Sequence, residues 1–132
     1  MLRIAICDDE ARSALDTKAL LEQWSAETGH ETELHCFDNG DSLINETCSE
    51  KYDIIFLDIV MPLLSGMDTA KELRLKDKSV KVIFLTSSAE FALQSYAVKA
   101  SDYCLKPITY SRLKEIMDDC LASINRESES LT

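Results

Sequence analysis

Basic residues are scarce in this chain: 14 lysines and arginines stand against 24 aspartates and glutamates, for a formal net charge of −10. A protein that binds DNA or RNA through its phosphates needs clustered lysine and arginine side chains. The composition therefore argues against direct nucleic-acid binding by this chain, and leaves that activity open for a separate domain.

Long hydrophobic runs are also missing. No apolar segment approaches the ~20 residues that a helix needs to span a bilayer, so we expect no membrane association. The N-terminus reaches the acidic sequence Cys7-Asp8-Asp9-Glu10 almost at once, and we expect no signal peptide. These absences predict a soluble, cytoplasmic protein.

The cysteines also show no spacing that is typical of a disulfide framework or a zinc site. The five cysteines contain no Cys-x-x-Cys pair and show no zinc-type spacing with His30 or His35. We expect them to be small buried side chains in a reducing cytoplasm, with no local support for redox sensing. They are Cys7, Cys36, Cys48, Cys104 and Cys120.

What the chain does have is the ordinary composition of one globular domain, with 45% hydrophobic and 29% charged residues in 132 positions. Strand patterns alternate with helical patterns along it. The pattern predicts strands over 2–7, 31–37, 53–58, 80–85 and 102–105, and helices near 9–29, 41–48, 66–76, 89–100 and 109–125. Residues 1–125 form the predicted domain, and the polar residues 126–132 read as a tail or the start of a linker.

Alternating β/α units without an internal repeat call for a parallel sheet with helices on both faces. We expect an α/β protein with the flavodoxin-like, doubly wound (βα)5 fold and strand order 2-1-3-4-5. The topological switch point, where ligands bind in such sheets, then falls between the first and third strands.

One stretch marks this point most clearly. The apolar run Ile54-Ile55-Phe56-Leu57 leads directly into Asp58 and is followed by Met61-Pro62 and Gly66. An unbroken apolar run suits a strand buried on both faces of a parallel sheet. Asp58 then lies at the carboxyl end of that strand, where a charged side chain is a candidate for chemistry.

In this strand order, the strand ends would bring five polar side chains to one pocket: Asp8, Asp9, Asp58, Thr86 and Lys106. Neighbouring carboxylates repel by roughly 4 kcal/mol per pair at about 4 Å and a dielectric near 20, so the cluster needs a cation. Oxygen ligands at a water-accessible site suit Mg²⁺.

A divalent ion, an ammonium and a hydroxyl around a carboxylate favour phosphoryl transfer, with the carboxylate attacking phosphorus. Asp58 is the best nucleophile candidate because it stands alone at its strand end, whereas Asp8 and Asp9 are better placed as metal ligands. Taken by themselves, Asp8 and Asp9 could equally be a helix-capping cluster.

The whole set, in this order and at these spacings, resembles the receiver domain of two-component response regulators, the CheY-like fold, over essentially the entire chain. The matching positions are the acidic pair Asp8-Asp9, the phosphoacceptor Asp58, the loop Met61-Pro62 with Gly66, the switch hydroxyl Thr86, the switch aromatic Tyr103, and Lys106-Pro107.

The resemblance implies direct Mg²⁺ ligation by Asp9 and Asp58 with help from the Val60 backbone carbonyl, and a direct or water-mediated role for Asp8. It also implies a cis peptide bond before Pro107. A sensor histidine kinase would be the phosphoryl donor. The chain would not be an enzyme in its own right, but a phosphoacceptor that assists its own phosphorylation and dephosphorylation.

For the switch, we expect Thr86 to move towards a phosphoryl group on Asp58 while Tyr103 turns inward. Helix 89–100, strand 102–105 and helix 109–125 would then present a changed face to a partner or to a second copy in a homodimer. The stretch 96–107 resembles receivers joined to LytTR-type DNA-binding domains, which implies transcriptional control by a domain outside this chain.

Other interpretations remain open from the residues alone. Tyr103 could be an ordinary half-buried strand aromatic, and Tyr96 is expected to pack rather than to function. A flavodoxin would need phosphate-binding Gly, Ser or Thr where Asp8 and Asp9 stand, and a haloacid-dehalogenase-type phosphatase would need a second acid in place of Val60. The serious alternative is a receiver-like interaction module that is never phosphorylated.

Overall fold

The computed structural model describes residues 1–130, so residues 131 and 132 of the predicted tail lie outside the described part of the chain. Its strands are β1 (Leu2–Cys7), β2 (Thr32–Phe37), β3 (Ile54–Leu57), β4 (Lys81–Thr86) and β5 (Asp102–Leu105). Its α-helices are α1 (Ala11–Thr28), α2 (Gly40–Thr47), α3 (Gly66–Lys76), α4 (Ala92–Ser95) and α5 (Tyr110–Ser130), with a 3-10 helix at Tyr96–Val98.

All neighbouring strands pair in parallel, in the order β2-β1-β3-β4-β5. This confirms the predicted doubly wound α/β fold and places the switch point between β1 and β3. Every residue of β3 is buried, as expected for a central strand covered on both faces.

Alternate residues of the central strand β3 belong to two different hydrophobic cores, because successive side chains of a strand point to opposite faces of the sheet. Ile55 and Leu57 join the core beneath α2, α3 and the 3-10 helix. Ile54 and Phe56 join the core beneath α1 and α5, which also holds the fully buried Trp24. The sheet is thus held rigidly from both sides, and its carboxyl edge can carry precisely placed side chains.

Three helix ends are capped by residue types that favour those positions. Gly29 closes α1 with φ +75°, and its N–H donates to the Ser25 carbonyl, the left-handed cap that glycine adopts most easily. Asn39 and Ser65 cap α2 and α3 by accepting hydrogen bonds from Ser42 N–H and Asp68 N–H.

The helix predicted over 89–100 is wrong in extent, since only Ala92–Ser95 is α-helical and Tyr96–Val98 is a 3-10 helix. Two large apolar side chains of this region do not face the core: Leu93 and Tyr96 are 83% and 79% exposed, so the expectation that Tyr96 packs is also wrong. Ser95, the last residue of α4, and Val98 in the 3-10 helix are buried instead.

The last helix continues to Ser130, five residues past the predicted end at Asn125. Lys81 Nζ at the start of β4 lies 2.6 Å from Glu127 Oε1 and ties this extension to the sheet. Whether residues 126–132 also begin a linker stays a prediction.

The cysteines divide into two groups, which corrects the expectation that all five are buried. Cys7, Cys104 and Cys120 are buried, whereas Cys36 and Cys48 are exposed. Among the described residues, no helix has both the length and the apolar character needed to cross a membrane.

Candidate functional site

The predicted site residues lie at one edge of the sheet because each follows or ends a parallel strand. Asp8 follows β1, Asp58 follows β3, Thr86 ends β4 and Lys106 follows β5. Backbone hydrogen bonds set neighbouring strand ends side by side, from Asp58 N–H to the Cys7 carbonyl (3.0 Å) and from Lys106 N–H to the Thr86 carbonyl (2.8 Å). Residues that are far apart in sequence therefore converge at the predicted switch point.

The three carboxylates form a cluster. Asp8, Asp9 and Asp58 each offer an oxygen, and these oxygens all lie within 4.8 Å of one another. Asp8 and Asp58 are each 5% exposed, while Asp9 is exposed. Two carboxylates taken out of water beside a third need positive charge nearby.

Lys106 supplies one such charge. Its Nζ donates to Asp8 Oδ2 at 2.8 Å and to Asp58 Oδ2 at 3.1 Å. Burial alone would lower the pKa of Lys106, but its hydrogen bonds and ion pairs with both aspartates outweigh burial and raise the pKa from its ordinary 10.5. Three carboxylates against one ammonium still leave the cluster negative, so it suits a cation.

The donor set fits Mg²⁺. This ion takes oxygen ligands at about 2.0–2.1 Å, which puts ligand oxygens roughly 3–4 Å apart, and it tolerates a site with few protein ligands and several waters. The spacing of the three carboxylate oxygens is compatible with a shared ion. The adjacent Cys7 thiol is mainly affected by burial, and to a lesser extent by the surrounding aspartates, which together raise its pKa to about 12.

The two oxygens of Asp8 have different partners. Oδ1 accepts a hydrogen bond from Glu10 N–H at 2.9 Å, at the entrance to α1, while Oδ2 accepts from Lys106. Glu10, and neither Asp8 nor Asp9, is the N-cap residue of α1, and it makes no side-chain cap hydrogen bond. The helix-capping interpretation of the acidic pair is therefore wrong, and Asp8 belongs to the cluster.

The loop after β3 folds closely around Asp58. Val60 N–H lies 3.3 Å from Asp58 Oδ1, and Gly66 N–H donates to the Ile59 carbonyl at 2.9 Å. A Cβ atom at Gly66 would overlap the backbone carbonyl of Asp58, so only glycine fits there. The Lys106–Pro107 peptide bond on the opposite side is cis, the geometry that the resemblance implies.

Thr86 and Tyr103 both meet Ser88, a residue that the sequence analysis missed. Thr86 is fully buried, and its Oγ1 accepts a hydrogen bond from Ser88 N–H at 3.4 Å. In the described part of the chain, this hydroxyl makes no hydrogen bond to Asp58. The Tyr103 hydroxyl donates to the Ser88 carbonyl, and burial raises the pKa of Tyr103 above its ordinary value. The only signal in the sequence was the position of Ser88 directly after Thr86-Ser87.

Comparison with known proteins agrees with this geometry. The family model of the response regulator receiver domain matches residues 4–118. The sensory transduction protein LytT of Bacillus subtilis (strain 168) is 30% identical over 117 residues, which cover 89% of this chain and 47% of that protein. LytT of Oceanobacillus iheyensis is 37% identical over 83 residues, 61% of this chain and 34% of that protein. The chain thus spans less than half the length of these relatives.

Solved structures show the same architecture. The response regulatory domain of protein mrkE from Klebsiella pneumoniae has a TM-score of 0.80 at 27% identity, covering 95% of this chain and 99% of that one. Response regulator protein TrrA from Thermotoga maritima, in complex with Mg²⁺-BeF, has a TM-score of 0.73 at 34% identity, covering 91% and 99% of the two chains.

Proposed function

Since the chain belongs to the response regulator receiver domain family, we propose that Asp58 accepts a phosphoryl group from a sensor histidine kinase in a Mg²⁺-dependent reaction. The observation that carries this proposal is the cluster of Asp8, Asp9 and Asp58 with Lys106 bridging two of the three carboxylates. A buried carboxylate beside a bound cation and an ammonium is suited to attack on phosphorus.

In the transfer step, an Asp58 carboxylate oxygen forms a bond to phosphorus while the bond from phosphorus to the donor's imidazole nitrogen breaks. Lys106, already hydrogen-bonded to Asp58, stabilises the negative charge on the phosphoryl oxygens. Asp8, Asp9, Asp58 and the Val60 carbonyl would hold Mg²⁺, which supplies further charge neutralisation there. The same residues would assist hydrolysis of the acyl phosphate, so the chain turns itself off without being an enzyme for another substrate.

Ser88 would transmit the conformational change from Asp58 to the neighbouring segment. A phosphoryl group adds about −1.5 to −2 charges and three acceptor oxygens, and it would attract the Thr86 hydroxyl. Thr86 and Tyr103 share Ser88 as a hydrogen-bond partner, so movement of one changes the position of the other. The affected segment leads through α4 to β5 and α5.

We propose that this α4–β5–α5 face forms the dimer contact of the phosphorylated chain. Three large apolar side chains on it are exposed: Leu93, Tyr96 and Leu105. Because the LytT relatives extend well beyond the matched region, the output would be a DNA-binding domain outside this chain, of LytTR type, controlling transcription in the cytoplasm.

The test is labelling of Asp58→Asn. We expect the wild-type chain to be labelled by [³²P]acetyl phosphate with Mg²⁺ and the variant to lose that label, because an amide is not a nucleophile towards phosphorus. Asp68→Asn, an exposed aspartate in the first turn of α3, is the matched control and should label normally. Undiminished labelling of Asp58→Asn would overturn the nucleophile assignment.

Beryllofluoride separates this function from that of a receiver-like module that is never phosphorylated. We expect Mg²⁺-dependent beryllofluoride binding, followed by changed amide NMR shifts at Thr86, Ser88 and Tyr103. A chain that binds neither beryllofluoride nor Mg²⁺ would favour the interaction module.

A further inference from the structure

Arg74 on α3 makes an unusual set of contacts with the backbone. Its guanidinium donates hydrogen bonds to four carbonyl oxygens: Val98 (2.7 Å), Lys99 (3.0 Å), Val80 (2.6 Å) and Asp77 (3.3 Å). Val98 and Lys99 lie at the end of the 3-10 helix, and Asp77 and Val80 lie in the turn between α3 and β4. One side chain therefore joins two segments on the face that carries α4.

The contacts with Val98 and Lys99 add to the backbone cap of the 3-10 helix, in which Lys99 N–H donates to the Tyr96 carbonyl and Ala100 N–H donates to the Ser95 carbonyl. The last carbonyls of a helix have no partner within it, and an arginine there satisfies them and complements the helix dipole. Lys99 ends the 3-10 helix in the left-handed region, with φ +53°, a conformation that costs a non-glycine residue free energy. Arg74 holds this residue in place from outside the segment.

Away from Arg74 the segment makes few core contacts: Ser95 is buried, and Phe91 and Ala100 are partly buried against the core. Between Ser88 and Ser101 it contains one α-helical turn and one 3-10 turn, and Leu93 and Tyr96 project into solvent. Its first end is tied to β5 by the Tyr103–Ser88 hydrogen bond. Near its second end, Val98 is buried and Arg74 binds the carbonyls. A segment with few buried contacts depends on such ties for its position.

We propose that Arg74 is a positioning residue that holds the 88–101 segment in the position described here, and thereby sets how readily the segment responds to a phosphoryl group at Asp58. The proposal rests on the proposed phosphoacceptor function. Movement of Thr86 would pull on Ser88 at the first end of the segment, while Arg74 resists displacement at the second. Displacement of the segment would lengthen the Arg74 hydrogen bonds to Val98 and Lys99, so their loss favours displaced conformations.

The test uses Arg74→Ala in the whole chain, with beryllofluoride and Mg²⁺ as the probe. Apparent affinity is proportional to the fraction of molecules already in the binding-competent conformation. We expect the variant to bind beryllofluoride about three- to tenfold more tightly than the wild type. Arg74→Lys keeps the charge but cannot reach all four carbonyls, so it should shift affinity in the same direction and serves if Arg74→Ala does not fold.

A purely stabilising role would give a different result. The matched control is Arg3→Ala, which removes ion pairs with Glu33 and Glu50 at the β1–β2 side of the sheet. We expect it to lower thermal stability without changing beryllofluoride affinity. Unchanged or weaker binding in both Arg74 variants would overturn the proposal, even if their melting temperatures fall.

Amide hydrogen exchange tests the role of Arg74 without relying on the phosphoacceptor function. Without any phosphoryl mimic, the amides of Lys99, Ala100 and Ser101 should exchange about tenfold faster in Arg74→Ala, since hydrogen bonds from a charged donor contribute most. If the wild type binds no beryllofluoride, the proposed function fails and exchange alone decides. A selective increase then supports the holding role of Arg74, and unchanged exchange overturns it.

Discussion

Asp8 and Asp9 are adjacent in sequence but differ in burial and in hydrogen bonding. Asp8 is buried and hydrogen-bonded to Glu10 N–H and Lys106. Asp9 is exposed and, within the described residues, makes no hydrogen bond or ion pair. Asp9 therefore contributes charge to the cluster without holding the fold together.

Asp9→Asn should separate cation binding from stability. We expect its melting temperature without Mg²⁺ to equal or exceed that of the wild type, because repulsion within the cluster falls. The rise in melting temperature on adding Mg²⁺ should shrink: a tenfold weaker affinity removes about 1.4 kcal/mol of the stabilisation at saturating ion. Thermal melts with and without MgCl2 measure both, and Asp68→Asn should behave as the wild type. An Mg²⁺ response that Asp9→Asn leaves intact would contradict the ligand role.

Gly66→Ala tests how closely the loop approaches Asp58. The new methyl group would overlap the Asp58 carbonyl, and forcing it in should cost about 1–3 kcal/mol of unfolding free energy and displace the nucleophile. We expect lower stability in urea and loss of labelling by acetyl phosphate. Gly29→Ala is the control: it is strained by φ +75° but meets open space, so it should lose stability and keep labelling.

At the scale of single elements, the turn between α3 and β4 depends on one carboxylate. Asp77 Oδ1 accepts hydrogen bonds from Ser79 N–H (2.8 Å), Ser79 Oγ (2.9 Å) and Val80 N–H (3.1 Å). Burial would raise the pKa of Asp77, but these bonds outweigh it and lower the pKa from its ordinary 3.8. The same turn carries two of the carbonyls that Arg74 binds.

A lowered carboxyl pKa stabilises the fold at pH values above the ordinary pKa, and this stabilisation is lost as pH falls through the folded-state value. Asp77→Asn should therefore be less stable than the wild type at pH 7, by about 1 kcal/mol, because a neutral amide oxygen is a weaker acceptor. The difference should shrink as the pH falls below the ordinary 3.8 and disappear only below the lowered folded-state pKa. Urea unfolding at pH 7, 5 and 3 measures it; a difference that persists unchanged at pH 3 would contradict this account.

At the scale of the whole molecule, three of the eight exposed large apolar side chains among the described residues lie on one face. Leu93, Tyr96 and Leu105 lie on the α4–β5–α5 face, whereas Leu75 on α3 is 80% exposed away from it. Removing exposed apolar side chains from water at an interface contributes favourably to the free energy of association.

We expect Mg²⁺ and beryllofluoride to convert the monomer into a dimer in sedimentation-velocity experiments. Leu93→Ser with Tyr96→Ser should keep the chain monomeric while leaving beryllofluoride binding intact, because both side chains are largely solvated and neither belongs to the carboxylate cluster. Leu75→Ser, equally exposed, should dimerise as the wild type does. A dimer that survives the double substitution would place the interface elsewhere.

Much of this architecture was readable from the sequence. Strands that are buried on both faces appear as unbroken apolar runs, and in a parallel sheet their following residues meet at one edge. Asp8, Asp58, Thr86 and Lys106 could therefore be assigned to one pocket without coordinates. Helix α3 was also predicted in full, since Ser65 and Gly66 mark its start locally.

The tertiary structure alone decided what depends on contacts between distant segments. The region 92–98 is shorter and less regular than its apolar pattern suggests, because packing selects Ser95 and Val98 rather than Leu93 and Tyr96. The sharing of Lys106 by two aspartates and the reach of Arg74 to four carbonyls join positions up to 98 residues apart. Sequence patterns report local periodicity, whereas a side chain's hydrogen-bond partners are determined only when the folded chain brings them within about 3 Å.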